Sequence, residues 1–223
     1  MLYLCFCVYD EAEFLEKHIP AAKRAAPHAQ VIVVDGAYVD FPHINCSSTD
    51  GTLDVASGLA DHVITCSTPW SSIEKKRSRY FVGKDGDEYL VVDSDEELVG
   101  AVPVDIEFVD ARCKIHCDDG RDYSVFRYHK HFGKMLYFGH HNALWRDGEY
   151  VYPGGNTIEG CRLNHRNQSI SEERMLAKQQ FRRRLQDKEA AFRRLERVIR
   201  SKVRKGVIVR IDDLESLRLQ NGL

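Results

Sequence analysis

Tyr89-Leu90-Val91-Val92-Asp93-Ser94-Asp95-Glu96-Glu97-Leu98 is the stretch whose reading decides the fold. Its first four residues form a continuous apolar run and read as a strand buried on both faces. The acids that follow read as the loop at the strand's carboxyl end, where ligands bind in an open α/β sheet. Asp93 and Asp95 are two apart and offer carboxylate oxygens, which suit Mg²⁺ or Mn²⁺, ions that commonly bridge to phosphates. An acidic, solvated turn is the alternative for this run alone.

Working back from there, Met1–Tyr9 is an apolar strand, Glu13–Ala26 a helix closed near Pro27, and Gln30–Val34 a second buried strand ending at Asp35-Gly36. This strand–helix–strand opening predicts a parallel sheet. Ser47-Ser48-Thr49-Asp50-Gly51-Thr52 supplies natural caps for a helix to about Leu59. His62–Cys66 reads as a short strand and Ser72–Val82 as a basic helix. Downstream, strands are expected at Val104–Phe108, Asp110–His116, Tyr123–His129 and Met135–Phe138. Trp145 and Tyr150–Pro153 suggest an aromatic loop that either packs or stacks on a sugar or base.

A helix from Ser171 to about Lys205 places Phe181, Leu185, Phe192, Leu195 and Ile199 on one face and arginines on much of the rest. Val207–Ile211 reads as a final strand and Asp212–Leu219 as a short helix. Net charge is −2, yet residues 172–205 carry 13 basic against 5 acidic residues, a local +8 on a −9 body. That helix is either a solvated scaffold or a contact for a polyanion. No apolar run reaches membrane-spanning length, and Asp10-Glu11 without a basic leader predicts no signal peptide. Seven cysteines without a framework spacing suggest reduced thiols and a cytoplasmic setting. Cys113, His116 and Cys117 make zinc conceivable, but no second ligand pair follows.

The motifs Val34-Asp35-Gly36, Ser48-Thr49-Asp50-Gly51-Thr52, Glu74-Lys75-Lys76-Arg77-Ser78 and Asp93-Ser94-Asp95-Glu96, in this order over residues 1–100, resemble those of the family 2 glycosyltransferases. The likeness continues more weakly through Phe126-Arg127, Gly139-His140-His141 and Leu163-Asn164-His165. The resemblance implies a GT-A-like, mostly parallel α/β sheet flanked by helices, with the long basic helix near the carboxyl terminus. It divides the chain into a catalytic domain, 1–170, and a basic helix with a final strand and helix, 171–223. Residues 1–100 of the former would bind the nucleotide and 101–170 the acceptor.

The same resemblance implies metal-dependent transfer of a sugar from a nucleotide-diphosphate donor, a UDP-sugar foremost, to an acceptor hydroxyl. Tyr9, Glu11, Asp35, Arg77 and Asp93 would bind the donor. Asp93, Asp95 and His165 would hold Mn²⁺ or Mg²⁺. No residue matches the family's general base cleanly, and His140, His141 and Glu159 are candidates. The loop Ala37–Cys46 departs from the family pattern and either lays Tyr38 or Phe41 over the nucleotide or is a surface excursion. A polyanionic acceptor, a membrane-linked glycan or a hydroxylated base in DNA, would explain the basic helix and allow peripheral membrane attachment. A non-catalytic nucleic-acid-binding protein would use the helix but leave the ordered acids unexplained.

Overall fold

The computed structural model describes residues 1–39, 45–138, 143–152, 154–165, 190 and 192–220. His140, His141, Phe41, and Phe181 to Leu185 of the basic segment lie outside them. The architecture is mixed α/β, with a mostly parallel sheet flanked by helices. Eight strands run in the order β3-β2-β1-β4-β7-β6-β11-β5. They are β1 (Leu2–Val8), β2 (Gln30–Asp35), β3 (His62–Ile64), β4 (Glu88–Val91), β5 (Glu96–Gly100), β6 (Asp110–Cys117), β7 (Asp122–Lys130) and β11 (Thr157–His165). The pairs β1·β2, β1·β4, β2·β3 and β6·β11 are parallel, while β7 and β5 run against their neighbours. The carboxyl ends of β1, β2, β4 and β11 therefore share one edge of the sheet.

Helix α1 (Ala12–Ala25) buries Phe14, Leu15, His18, Ile19, Ala22 and Ala25, a single helical face, against the main core. No side chain of its own caps its start. The cap comes from later in the chain, because the Ala12 amide donates to Asp50 Oδ2 at 3.1 Å. Asp50 also accepts from the Thr52 amide at 3.0 Å, at the start of α2 (Thr52–Leu59). One carboxylate thus serves two helix starts. Helix α3 (Ile73–Arg77) is shorter than the sequence suggests and tightens into a 3₁₀ turn at Ser78–Tyr80. A second core beneath it joins Tyr80, Tyr89, Val91, Phe126 and Tyr137.

A separate antiparallel sheet is made of β8 (Met135–Tyr137), β9 (Leu144–Arg146) and β10 (Glu149–Tyr150). Against it pack α4, residues 192–204, and α5 (Leu214–Gln220). Phe192, Leu195 and Ile199 face this third core together with Trp145 and Tyr150. Trp145 is fully buried, its indole N–H donating to the Phe138 carbonyl at 3.2 Å, so packing is its role. A buried chain of polar groups ties the small sheet to the large one. Arg146 forks onto Asp110 at 3.2 Å, His129 Nδ1 meets Asp110 at 3.2 Å, and His129 Nε2 meets the Tyr137 hydroxyl at 3.0 Å.

Two expected strands are absent. Val104–Phe108 is irregular chain; Pro103 can donate no ladder hydrogen bond at its start. Val207–Ile211 forms no strand, since its partner β10 is only two residues long. It offers just the bonds Tyr150 N–H to Val209 O and Ile211 N–H to Gly148 O, 3.0 and 2.8 Å. Conversely, Glu96–Gly100 and Thr157–His165, not anticipated as strands, pair with one another. Gly100 (φ +93°) lies so close to β11 that a Cβ there would meet the Gly160 carbonyl oxygen at 2.2 Å.

Candidate functional site

The shared carboxyl edge gathers most of the expected site. Asp35 closes β2 and is fully buried. Its carboxylate accepts from the Ser48 amide at 3.0 Å and the Ser48 hydroxyl at 2.5 Å. The Asp10 amide in turn donates to Ser48 Oγ at 2.7 Å, the Thr49 amide to Asp10 at 2.8 Å, and the Glu11 amide to Thr52 Oγ1 at 2.7 Å. The 47–52 segment is therefore clasped to the end of β1 and the start of α1. Asp50 is held below the usual carboxylate range: burial opposes its charge, but the Thr52 hydroxyl and the Ala12 and Thr52 amides that it accepts from favour it more. Tyr9 stands at the rim, donating to the Asn45 carbonyl at 2.9 Å. Glu11 is buried beside it.

Lys76, which the sequence placed in a basic helix and a motif without a role of its own, has a structural one. It is fully buried, and its ammonium donates to the carbonyls of Val8 at 2.5 Å and Gly36 at 2.6 Å, with the Tyr38 ring 5.0 Å away. It ties together the ends of β1 and β2. Tyr38 packs inward on Lys76, its hydroxyl 3.5 Å from Cys7 Sγ. Gly36 (φ +124°) has no room for a side chain, because a Cβ would meet Cys66 Sγ at 2.3 Å.

Asp93, just past β4, sits between two buried guanidiniums. Arg77 pairs with one carboxylate oxygen and Arg127, from β7, with the other, the latter at 2.5 Å. Arg127 also reaches Glu96 at 2.8 Å, and Glu96 accepts from the Asp93 amide at 2.9 Å. Two acids and two arginines make a formally neutral, largely dry cluster. Burial disfavours the charge on each arginine, yet Asp93 raises both above their ordinary value. Burial and the nearby Asp93 outweigh Arg127 at Glu96 and push its carboxyl up to about 7. His18 on α1 meets the Ser94 carbonyl at 2.6 Å, fixing the turn between the two acids. The available hint of Arg127 was a charge on the alternating face Tyr123, Val125, Arg127.

Asp95 and His165 are brought together across β5 and β11. Asp95 Oδ1 and His165 Nδ1 lie 3.7 Å apart, both side chains partly exposed. That is too long for a hydrogen bond, and His165 Nδ1 is buried without a hydrogen-bond partner. Two atoms each about 2.1 Å from one cation are about 3 Å apart at a right angle and about 4.2 Å in line. The pair thus fits as two ligands of one divalent ion. Asp93 has one carboxylate oxygen paired with Arg77 and the other with Arg127. No group of three His, Cys, Asp or Glu side chains suited to a metal occurs among the described residues, so substrate oxygens or water would complete such a shell. Glu159 stands apart, exposed and ion-paired with Lys114 at 2.6 Å. It lies six residues from His165 on β11, about 20 Å at the rise of a strand. Cys113 and Cys117 face the core while His116 is exposed and pairs with Asp122 at 2.7 Å, so these three do not converge.

Neither a scan with protein-family models nor a search of curated proteins finds a match. Among solved structures the chain is similar to S. aureus TarS, residues 1–349, with 17% identity and a TM-score of 0.37. The match covers 54% of this chain and 37% of that one, so this chain spans little more than a third of its length. Among the described residues, no helix is long and apolar enough to cross a membrane.

Proposed function

We propose that the chain is a metal-dependent glycosyltransferase, moving a sugar from a nucleotide-diphosphate donor to an acceptor hydroxyl. The observation that carries this reading is the approach of Asp95 Oδ1 to His165 Nδ1 at 3.7 Å, seventy residues apart in sequence, on the edge that also holds Asp35 and Asp93. The nucleoside would lie across the ends of β1 and β2, beside Tyr9 and Glu11, over a floor held by Asp35 and Lys76. Arg77 and Arg127 pair with Asp93 and orient it at the same edge. Mn²⁺ or Mg²⁺ bound by Asp95 and His165 would neutralise charge on the departing diphosphate. The acceptor oxygen bonds to the anomeric carbon as the bond from that carbon to the diphosphate oxygen breaks, and the acceptor proton passes to a base. His140 and His141 are the proposed bases.

Metal-dependent hydrolysis of a panel of nucleotide sugars, UDP-sugars first, tests this directly. Asp95→Asn should lower the rate at least about 100-fold and weaken Mn²⁺ binding in the presence of nucleotide while leaving the melting temperature nearly unchanged, since Asp95 is partly exposed. Wild-type activity undiminished in excess chelator would overturn the proposal.

A further inference from the structure

The far end of α4 carries a second surface. Phe192, Leu195 and Ile199 turn inward, which leaves Arg194, Arg197 and Lys205 exposed on the opposite side, while Arg204 donates to the Tyr152 hydroxyl at 2.9 Å. The helix stops at Gly206 (φ +79°), whose amide donates to the Val203 carbonyl at 2.9 Å while the Val207 amide donates to the Lys202 carbonyl at 3.1 Å. This double closure fixes the chain reversal and presents Val207 and Ile208, 46% and 63% exposed, directly beyond the basic face. Residues 192–205 hold seven Lys or Arg and one acid, Glu196.

We infer that this surface binds an anionic lipid bilayer. Each half of the feature answers a different layer of the membrane. Arginine and lysine meet the phosphate headgroups, where juxtamembrane basic residues add attraction that salt screens. An aliphatic pair on a rigid turn enters the boundary between headgroups and acyl chains. The phosphate backbone of nucleic acid would be served by the charges alone and gives an exposed isoleucine no apolar partner, which favours the bilayer.

The inference can be tested on the full chain without any sugar donor, so it stands or fails separately from the transfer reaction. The protein should sediment with vesicles containing phosphatidylglycerol, not with pure phosphatidylcholine, and release as salt rises from about 0.1 to about 0.5 M, which shortens the screening length from about 10 Å to about 4 Å. Arg194→Glu with Arg197→Glu should weaken that binding by more than about 25-fold, at about fivefold per charge removed. Ile208→Ser should weaken it about tenfold at unchanged charge. Melting temperatures should not move, because all three side chains are exposed. No binding to the anionic vesicles, equal binding by Ile208→Ser, or tighter binding to duplex DNA at the same salt would each overturn the inference.

Discussion

Arg127 is the side chain on which the acidic edge depends. With it in place, Asp93 and Glu96 are compensated in a nearly dry setting. Removing one partner of a buried ion pair leaves an uncompensated charge, so Arg127→Met should cost about 3–5 kcal/mol, read from urea denaturation. A loss below about 1 kcal/mol would show that water reaches the cluster freely. Asp35→Ala and Arg77→Ala are expected to lower stability as well as donor binding, because both side chains are buried and bonded. Glu96 adds a pH dependence. Its folded-state value near 7 exceeds the ordinary 4.5, so between them the native protein binds more protons than the unfolded chain. Its contribution to stability therefore falls as pH rises through that window. Glu96→Gln should flatten the decline between pH 5 and pH 8; an unchanged slope would assign it to other groups.

At the level of elements, the 47–52 segment works as a shared cap. Asp50→Ala removes acceptors from the starts of α1 and α2 at once, and should cost about 2 kcal/mol, roughly twice a single cap. Thermal melts of Asp50→Ala and Asp50→Asn compare the two losses; a change near zero in both would mean water replaces the carboxylate. Because Asp50 is held below the usual carboxylate range, its contribution persists at neutral pH and is lost only as acid protonates it. Ile199→Ala probes the third core in the same way, with an expected cost of about 3 kcal/mol for a fully buried side chain. Since the polar chain from Arg146 to Tyr137 joins the small sheet to the large one, Trp145 fluorescence and backbone circular dichroism should report one transition. Two separated midpoints would show that the small sheet and α4 melt on their own.

For the whole molecule, sequence reading recovered the elements governed by local pattern. Strands β1, β2 and β4 are continuous apolar runs, and the acids after β4 stand at the predicted edge. What it missed depends on partners distant in sequence. Glu96 looks like a loop residue until Arg127, 31 residues on, is placed against it. Lys76 looks solvated until the carbonyls of Val8 and Gly36 surround it. The zigzag of Ile158, Cys161 and Leu163 is broken where β11 shifts register, which hides a strand from a period-two count.

The position of β5 has a consequence for the order in which the protein is made. It follows β4 by four residues in sequence yet sits at the opposite margin of that half of the sheet, bonded only to β11. On a ribosome it must wait some sixty residues for its mate. His165 pairs in register with Glu96, the neighbour of Asp95, so the closing of this last ladder and the meeting of Asp95 with His165 are one event. The nascent chain cannot bring Asp95 to His165 until nearly the whole sheet has emerged, so this contact forms late in synthesis, in a single step.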